Sequence, residues 1–280
     1  MSKFLNNLVK LMNLSIIIVN YNTRDLLQDC LKSIYVPYPK PYVFEVIVVD
    51  NGSTDGSLQS INSLKWPNLR VITNKKNEGF AKAVNQGIRQ SIGKNILLLN
   101  SDIVVKKDAL VKLLAFVENH PQAGLVGGRL LNSDGLPQGS CFFLPTLWRV
   151  VKEFWLGNKG FSVVKKYVPK GKGPSEVEAV TGAVFLIPGK ILAKVGFFDE
   201  RYFMYFEDLD YCRRVRQAGL KVYYLPQAEF IHTHGASGKD MPEKTRQWLV
   251  ESSKIYHGKC RYRLVTFIIW ISQRWRKLWP

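Results

Sequence analysis

The stretch that decides the fold is VIVVDNGSTDGS, residues 46–57, in which an apolar run ends abruptly in a polar turn. A continuous run of β-branched residues is typical of a strand that is buried on both faces of a parallel sheet. The polar half, residues 50–57, combines the Asp, Asn, Gly and Ser residues that form turns and can cap a following helix. The pattern predicts a strand, a loop and a helix, in that order.

Predicted strands and helices alternate on both sides of this stretch. The strands, predicted from apolar and β-branched runs, are residues 14–20, 43–49, 69–73, 95–99, 125–131, 178–187 and 221–225. The helices, predicted from apolar residues at helical spacing, are residues 23–34, 80–92, 107–119, 188–195 and 207–218. Such a series predicts an α/β fold in which one mostly parallel sheet is flanked by helices.

An irregular segment and a proline interrupt this series of predicted elements. Residues 141–173 contain aromatics, Lys and Gly without clear periodicity, and we interpret them as a mobile insertion or lid. Pro226 directly follows the last predicted strand and is expected to end it, because proline cannot donate to a sheet ladder.

The composition is that of a globular protein. The chain has 280 residues, of which 46% are hydrophobic and 22% charged. Its four cysteines lie far apart, which excludes a disulfide framework and a cysteine zinc module and favours a reducing compartment. The longest apolar runs fall short of the roughly 18 residues that span a bilayer, and the first residues lack a signal-peptide core. We therefore expect neither a transmembrane helix nor a signal peptide.

Positive charge is concentrated at the C-terminal end. The formal charge is +18, and residues 252–280 contain seven Lys or Arg residues and no acid. These bases flank the apolar run LVTFIIWIS, residues 264–272, and stand beside Trp270, Trp275 and Trp279. The pattern predicts a helix that lies in the headgroup region of an anionic membrane. The alternatives are a tail packed on its own domain or a partner, and a nucleic-acid contact, for which no motif is present.

Polar loops follow three of the predicted strands. They are residues 20–22 (Asn-Tyr-Asn), 50–53 (Asp-Asn-Gly-Ser) and 100–102 (Asn-Ser-Asp). Ligands of open α/β sheets bind outside the carboxyl ends of the strands, so these loops predict a binding cleft. The sequence contains no Walker or GxGxxG motif, and a nucleotide would therefore be bound in another way.

Asp102 and a histidine pair are candidate metal ligands. A hard divalent cation that bridges a diphosphate takes one or two carboxylates, and Asp102 could supply one. The alternative is that Asp102 has a local structural role, either as the cap of the helix expected to begin near Lys106 or in a turn. His232 and His234, in HTHGAS, resemble half of a metal site, and either could contact a metal or a phosphate.

Three acids lie within FMYFEDLDYCRR, residues 203–214. Asp210 can pair with arginines three and four residues later, which is a structural role. Glu207 and Asp208 follow a run of apolar side chains, and a carboxylate beside an apolar wall gains the raised proton affinity that suits a general base.

Seven segments, in this order, resemble the family 2 glycosyltransferases of GT-A fold, especially the bacterial rhamnosyltransferase-like branch. They are SIIIVNYN (15–22), VIVVDNGSTDGS (46–57), NEGFAKAVNQGI (77–88), ILLLNSD (96–102), VTGAVFLI (180–187), GFFDERYFMYFEDLDYCRR (196–214) and HTHGAS (232–237). The resemblance implies a GT-A glycosyltransferase domain at residues 14–237. An N-terminal extension at 1–13 would precede it, and a basic, Trp-rich C-terminal helical tail at 238–280 would follow.

The resemblance also implies roles for individual residues. The implied nucleotide-sugar contacts are Asn20, Tyr21, Asn22, Asp50, Asn77, Gly79, Phe80 and Ser101. Asp50 would accept a hydrogen bond from a pyrimidine imide N–H. Asp102 stands at the end of the family's DxD metal motif, whose first position is Asn100 here, and His232 matches the family's histidine better than His234. The implied cofactor is Mg²⁺ or Mn²⁺.

The implied reaction is an inverting transfer with Asp208 as the general base and Glu207 as its neighbour. The donor would be a nucleoside-diphosphate sugar, with dTDP-rhamnose favoured, and the acceptor a growing polysaccharide on a polyprenyl-diphosphate lipid. With the basic tail, this implies a cytoplasmic enzyme peripheral on the inner face of the plasma membrane. A non-catalytic sugar-nucleotide or glycan-binding module and a nucleotidyltransferase are the alternatives; the first would lack the base and the second usually has a glycine-rich loop.

Overall fold

The structure, a computed structural model, describes residues 12–36, 43–63, 65–149, 151, 166–233 and 242–278. Its strands are β1 Met12–Asn20, β2 Val43–Asp50, β3 Leu69–Thr73, β4 Asn95–Asn100, β5 Ile103–Val105, β6 Ala123–Leu131, β7 Pro137–Gln138, β8 Cys141–Phe142, β9 Lys166–Tyr167, β10 Ser175–Val177, β11 Ala179–Val180, β12 Val184–Pro188 and β13 Lys221–His232. They are flanked by helices α1 Arg24–Tyr35, α2 Ser57–Asn62, α3 Phe80–Gln90, α4 Ala109–Asn119, α5 Gly189–Val195, α6 Glu207–Gln217, α7 Pro242–His257 and α8 Lys259–Leu278.

The main sheet has the strand order β10-β13-β6-β12-β4-β1-β2-β3. Strands β3, β2, β1 and β4 are parallel neighbours, whereas β12 runs antiparallel to both β4 and β6. The register places Asn20 beside Asp50 and Val19 beside Asn100. The three strands that precede the polar loops therefore end side by side, at one edge of the sheet.

Helical layers cover both faces of this sheet. Alternate residues of β1 enter different layers, since Ile16 and Ile18 pack in one hydrophobic cluster and Ile17 in the other. Helices α1 and α4 bury their apolar faces in the first cluster, and α3 and α6 bury theirs in the second. The predicted α/β fold, with its mostly parallel sheet and C-terminal helices, is confirmed, and most predicted bounds lie within two residues of those observed.

The prediction of one strand over residues 178–187 was wrong. The apolar run is divided into β11, which pairs with β8, and β12, which pairs with β4. A turn at residues 181–183 separates them, and the Thr-Gly pair in VTGAVFLI marks it. The two strands belong to different sheets: β12 lies in the main sheet, whereas β11 forms a separate three-stranded sheet with β8 and β9.

Strands β8 and β9 correct part of the expectation for residues 141–173. Two parts of that segment, residues 141–142 and 166–167, are paired strands, with Cys141 opposite Tyr167 and Phe142 opposite Lys166. Residues 150 and 152–165, on which the idea of a lid depends, lie outside the described residues.

The last predicted strand does not end at Pro226. Strand β13 continues to His232, and its register against β6 shifts between Leu225 and Glu229. Pro226 sits in this irregularity, where a missing backbone N–H is tolerated. The continuation matters because it carries His232 toward the carboxyl ends of the other strands.

Helices α7 and α8 form the C-terminal part of the structure. Gly258 joins them with a positive φ of 71°, a conformation that glycine adopts without steric cost. No described helix is long and apolar enough to cross a membrane. Residues 234–241, which contain His234 and the expected domain boundary, lie outside the described residues, so that boundary stays a prediction.

Candidate active site

Asp50 is held at the end of β2 by its neighbours in the first two polar loops. Asn20 donates from Nδ2 to Asp50 Oδ1 at 2.9 Å and to Ser53 Oγ at 3.0 Å. The backbone N–H of Ser53 donates to Asp50 Oδ2 at 3.1 Å. Asn20 is 0% and Asp50 1% exposed. Asn20 therefore orients Asp50, and both side chains are buried in this arrangement.

A pair of hydroxyls ties the first loop to the third. Thr23 donates from Oγ1 to Asn20 Oδ1 at 2.7 Å, and the same Oγ1 lies 2.7 Å from Ser101 Oγ. A hydroxyl has one hydrogen to donate, so Ser101 is the donor to Thr23. Ser101 is buried at 5% exposure, and its contact with Thr23 holds the third loop against the first, next to Asp102.

Tyr21 and Asn22 lie at the surface of this edge. Tyr21 is half-buried and Asn22 is exposed. Asn22 has a positive φ of 53°, and its Oδ1 accepts the backbone N–H of Thr54 at 2.8 Å. The two residues thus flank the loop that carries Asp50, with accessible surface for a ligand.

Asn51 organises the loop at residues 77–80, a role that the sequence reasoning missed. Its Nδ2 donates to Asn77 Oδ1 at 2.9 Å and to the carbonyl of Gly79 at 3.2 Å. Its Oδ1 accepts the backbone N–H of Glu78 at 3.0 Å. These contacts join residues far apart in the chain, so a local motif gives no direct signal of them.

Gly79 must be glycine for a steric reason. Its φ is 87°, and a Cβ atom placed there would lie 2.7 Å from the carbonyl oxygen of Phe203. The same oxygen accepts the backbone N–H of Phe80 at 2.7 Å. Residues 77–80 therefore rest against the segment that precedes α6. They are hereafter called the donor loop, because the family resemblance implies that they contact the sugar-nucleotide donor.

Asp102 and His232 meet at the carboxyl edge of the sheet. Asp102 Oδ1 lies 3.4 Å from His232 Nε2, and both residues are buried. The expectation that Asp102 could cap a helix is wrong, because residues 103–105 form β5 and α4 begins at Ala109. Strand β5 pairs with β13, with Ile103 opposite His232, and this pairing brings the two side chains together.

Gln138 determines which ring nitrogen of His232 carries the proton. Its Nε2 donates to Asn132 Oδ1 at 2.8 Å, which turns its Oε1 toward His232 Nδ1 at 2.5 Å. An amide oxygen only accepts, so Nδ1 is the protonated nitrogen. In the neutral ring Nε2 then has a lone pair that faces Asp102, the arrangement found in metal-ligating histidines. Sequence reasoning gave no signal for Gln138.

These residues fit a divalent cation that is bound together with a ligand. Asp102 Oδ1 is buried and has no hydrogen-bond partner among the described residues. The described part of the chain contains no group of three or more His, Cys, Asp or Glu that could hold a metal alone. A carboxylate and an imidazole are therefore the protein ligands available, and phosphate oxygens and waters would complete the coordination.

Asp208 stands at a corner formed by Gly182 and Phe80. Its Oδ2 accepts the backbone N–H of Gly182 at 3.1 Å, and its Oδ1 accepts that of Leu209 at 2.8 Å. A Cβ atom on Gly182 would lie 3.6 Å from Asp208 Cβ and 3.8 Å from Phe80 Cε1. Burial raises the pKa of Asp208, whereas the two N–H groups and the Lys166 ammonium oppose the shift. The carboxylate is thus fixed beside the donor loop with increased proton affinity.

Glu207 and Asp210 have different environments. Glu207 is buried, its Oε2 has no hydrogen-bond partner among the described residues, and burial beside Asp208 raises its pKa. Asp210 pairs with Arg213 at 2.5 Å and with Arg214 at 2.8 Å, as its spacing predicts. Asp210 is therefore structural, and Glu207 favours its protonated form.

The chain is similar to known proteins in sequence and in structure. The sequence profile described as glycosyl transferase family 2 matches residues 15–140. N-acetylglucosaminyl-diphospho-decaprenol L-rhamnosyltransferase of Mycobacterium tuberculosis is 30% identical over 246 residues, which cover 81% of this chain and 78% of that protein. Rhamnosyltransferase WbbL of Escherichia coli is 27% identical over 255 residues, which cover 88% of this chain and 93% of that protein.

Solved structures share the fold at lower identity. Mannosyltransferase PcManGT from Pyrobaculum calidifontis, in complex with GDP-Man and Mn²⁺, aligns with a TM-score of 0.60 at 18% identity, over 93% of this chain and 68% of that chain. GalNAc-T7 with UDP, GalNAc and Mn²⁺ aligns with a TM-score of 0.63 at 17% identity, over 79% of this chain. This chain covers 44% of the GalNAc-T7 chain, less than half its length.

The structural likeness shows the GT-A fold, and the sequence relatives show the family. The profile match, the curated relative aligned over 78% of its length, and the ordered polar edge of the sheet lead to one conclusion. The chain belongs to glycosyl transferase family 2, in its rhamnosyltransferase-like branch.

Proposed function

We propose that this glycosyltransferase transfers a sugar from a nucleoside-diphosphate sugar to a hydroxyl of a lipid-linked polysaccharide precursor, with inversion and with a divalent metal. The observation that carries the proposal is Asp208, a half-buried carboxylate held by two backbone N–H groups at the edge of the donor loop. A carboxylate in this position can take a proton from an acceptor hydroxyl while the donor lies over Phe80.

The proposed donor is a pyrimidine-nucleotide sugar, with dTDP-rhamnose favoured. Asp50 would accept the imide N–H of the base, Tyr21 and Asn22 would line the nucleotide, and the donor loop would cover ribose and sugar. Rhamnose is favoured because the curated relatives named above are rhamnosyltransferases.

The proposed metal is Mg²⁺ or Mn²⁺, held by Asp102 and His232 on the protein side. When bound, it would neutralise negative charge on the departing nucleoside diphosphate. The protein contributes by holding the side chains of Asp102 and His232 close together. Strand pairing of β5 with β13 sets their separation, and the Gln138 hydrogen bond leaves His232 Nε2 free of a proton in the neutral ring.

Asp208 would act as the general base. The acceptor oxygen attacks the anomeric carbon on the face opposite the departing nucleoside diphosphate, and its proton moves to Asp208. Glu207 is poorly suited to act as a general base, because its buried carboxyl favours the protonated form. We propose that Glu207 holds its proton while Asp208 is ionised, so that the two adjacent acids do not both carry charge.

The proposed acceptor is attached to a polyprenyl diphosphate, as the name of the Mycobacterium relative says of that protein. An enzyme with such an acceptor works at a membrane surface, and α8 is the element suited to contact it. Its large apolar side chains Leu264, Phe267, Trp270 and Trp275 are 46%, 54%, 49% and 57% exposed. Arg274 lies over the Trp270 ring at 4.7 Å, which places a cation beside this apolar face. We propose that α8 binds the inner face of an anionic membrane.

A panel of ligands tests the donor proposal. Thermal unfolding would be followed with dTDP, UDP, GDP and their sugars, with and without Mn²⁺, because a ligand that binds the folded state raises its apparent stability. We expect the largest shift for dTDP-rhamnose with Mn²⁺. A shift from GDP-sugars only, or the same shift without metal, would contradict the proposal.

Assays with an acceptor, and with dTTP and a sugar 1-phosphate, separate the alternative functions. A binding module would show the thermal shift without any transfer to acceptor. A nucleotidyltransferase would release pyrophosphate from dTTP and a sugar 1-phosphate. We expect transfer and no pyrophosphate release.

A further inference from the structure

Residues 203–206 form a short segment that joins the donor loop to the two site acids. At one end, the carbonyl of Phe203 accepts the N–H of Phe80 and fills the space beside Gly79. At the other end, Phe206 directly precedes Glu207 at the start of α6. A displacement of this segment therefore moves the donor loop, the acids, or both.

The segment has an unusual backbone conformation. Tyr205 and Phe206 have φ values of 70° and 68°, in the left-handed region that bulky residues rarely adopt. Two such residues in succession persist only where surrounding structure holds them. The segment thus requires an external support.

Helix α7 supplies that support along one face. Trp248 stacks on Phe203, with ring centroids 4.9 Å apart. One turn later, Ser252 donates from Oγ to the carbonyl of Met204 at 2.8 Å and is 2% exposed. A further turn on, the ring of Tyr256 lies 5.4 Å from that of Phe206. Three residues at helical spacing therefore follow the segment from its donor-loop end to its catalytic end.

The same helix is fastened to α6. Arg213 donates from Nη1 to the carbonyl of Tyr256 at 3.1 Å, and its guanidinium lies 4.2 Å from the centre of the Tyr256 ring. Arg213 lies on α6, where it also pairs with Asp210. Its contacts with Tyr256 therefore tie α7 to the helix that carries the acids. The support is therefore continuous with the site and is not confined to one contact.

We propose that Trp248 and Ser252 are positioning residues of the transferase, and that α7 is part of the machinery that aligns the donor loop with Asp208. Trp248 acts through Phe203 on the donor loop. Ser252 acts through Met204 on the left-handed segment and on Asp208. The kinetic part of this inference rests on the proposed glycosyl transfer, whereas the structural part does not.

The location of each contact predicts a split in the kinetics. Trp248→Leu loosens Phe203 and raises the KM for dTDP-rhamnose about tenfold, with kcat within about twofold of the wild-type value. Ser252→Ala leaves that KM within about twofold and lowers kcat about tenfold. Ser252→Thr keeps the hydroxyl and restores most of kcat. Ser253→Ala, on the next residue of α7, is the matched control and behaves as wild type.

Rates are expressed per folded molecule, which separates positioning from loss of stability. A purely structural role would lower the folded fraction in both variants and leave kcat and KM of the folded enzyme unchanged. That result, or equal effects of Ser252→Ala and Ser253→Ala, would overturn the inference.

Hydrogen exchange tests the inference without any donor. The amide of Phe80, which donates to Phe203, and the amides of residues 208–210 should exchange faster in Ser252→Ala or Trp248→Leu than in Ser253→Ala. If wild-type protein transfers no sugar, the proposed function fails while these exchange rates still decide the inference. Unchanged exchange at both places would overturn it.

Discussion

His232 Nε2 lies 3.4 Å from Asp102 Oδ1, and Gln138 Oε1 accepts a hydrogen bond from the other ring nitrogen. A histidine whose Nδ1–H is directed to an amide oxygen presents Nε2 as a ligand. Asp102 Oδ1, which has no hydrogen-bond partner among the described residues, faces the same point. This relationship is the structural basis for expecting a metal, because it brings a buried carboxylate oxygen and a buried imidazole nitrogen together.

Replacing Asp102 by alanine should reduce metal-dependent transfer by about 10²-fold or more, because the only carboxylate of the proposed pair is lost. Gln138→Leu should leave the ligands in place but raise the Mn²⁺ concentration needed for half-maximal activity by about tenfold or more. Manganese titrations of initial rate measure both. Asp29→Ala, at an exposed acid on α1, is the control. Full wild-type activity in excess chelator would refute the metal proposal.

Other features of the fold lie where the sequence predicts them. The bounds of β3 are those predicted, and the polar loops fall at the carboxyl ends of β1, β2 and β4, because hydrophobic periodicity and turn residues are local signals. Asp50, Asp102 and Asp208 could be selected because each stands at the start or end of a predicted element.

Long-range contacts account for what the sequence could not predict. Asn51 holds residues 77–79, and Gln138 orients His232, through side-chain hydrogen bonds that depend on the assembled sheet. The support of residues 203–206 by α7 likewise joins separate parts of the chain. The division of residues 178–187 between two sheets was set by pairing partners, which a single apolar run does not reveal.

Gly79→Ala should weaken donor binding by about tenfold or more. The new methyl would meet the Phe203 carbonyl at 2.7 Å in a backbone conformation that favours glycine, so the donor loop must move. Gly135→Ala is a matched control, since Gly135 has a similar φ of 82° and no atom of the described residues lies within 4 Å of the added methyl. Calorimetric titration with dTDP and Mn²⁺ measures the effect, and equal weakening in both variants would assign it to backbone strain alone.

Glu207→Gln should stabilise the protein increasingly as pH rises. Burial raises the pKa of Glu207 in the folded state, with the Asp208 charge adding to the shift. The stabilising contribution of this carboxyl is therefore complete below its unfolded pKa and is lost as pH rises through its folded pKa. We expect the Tm advantage of Glu207→Gln over wild type to be greater near about pH 9 than near about pH 5. For a protein of this size, each kcal/mol gained in the free energy of unfolding raises Tm by roughly 2–4 °C. Glu118→Gln on α4 is the control, and a difference independent of pH would contradict the assignment.

Truncation before Leu264 should release the protein from anionic liposomes and leave dTDP binding unchanged. The removed part of α8 carries the exposed aromatic face and Arg274, and each base near an anionic surface adds on the order of 1 kcal/mol. Because Val265 is buried in this part, a second variant with Phe267, Trp270 and Trp275 replaced by serine keeps the packed face intact. Co-sedimentation with anionic and neutral liposomes measures both. Equal pelleting of all three proteins would mean that α8 is only a packing element.

The most direct test of the account is transfer by wild-type protein and by Asp208→Asn. Each would be incubated with dTDP-rhamnose, Mn²⁺ and an N-acetylglucosaminyl-diphospho-polyprenol, and the lipid product followed by mass spectrometry. The account predicts a product one deoxyhexose heavier, formed about 10²-fold or more slowly by Asp208→Asn although dTDP binding is retained. Normal transfer by Asp208→Asn, or no product from wild-type protein with any pyrimidine-nucleotide sugar, would contradict it.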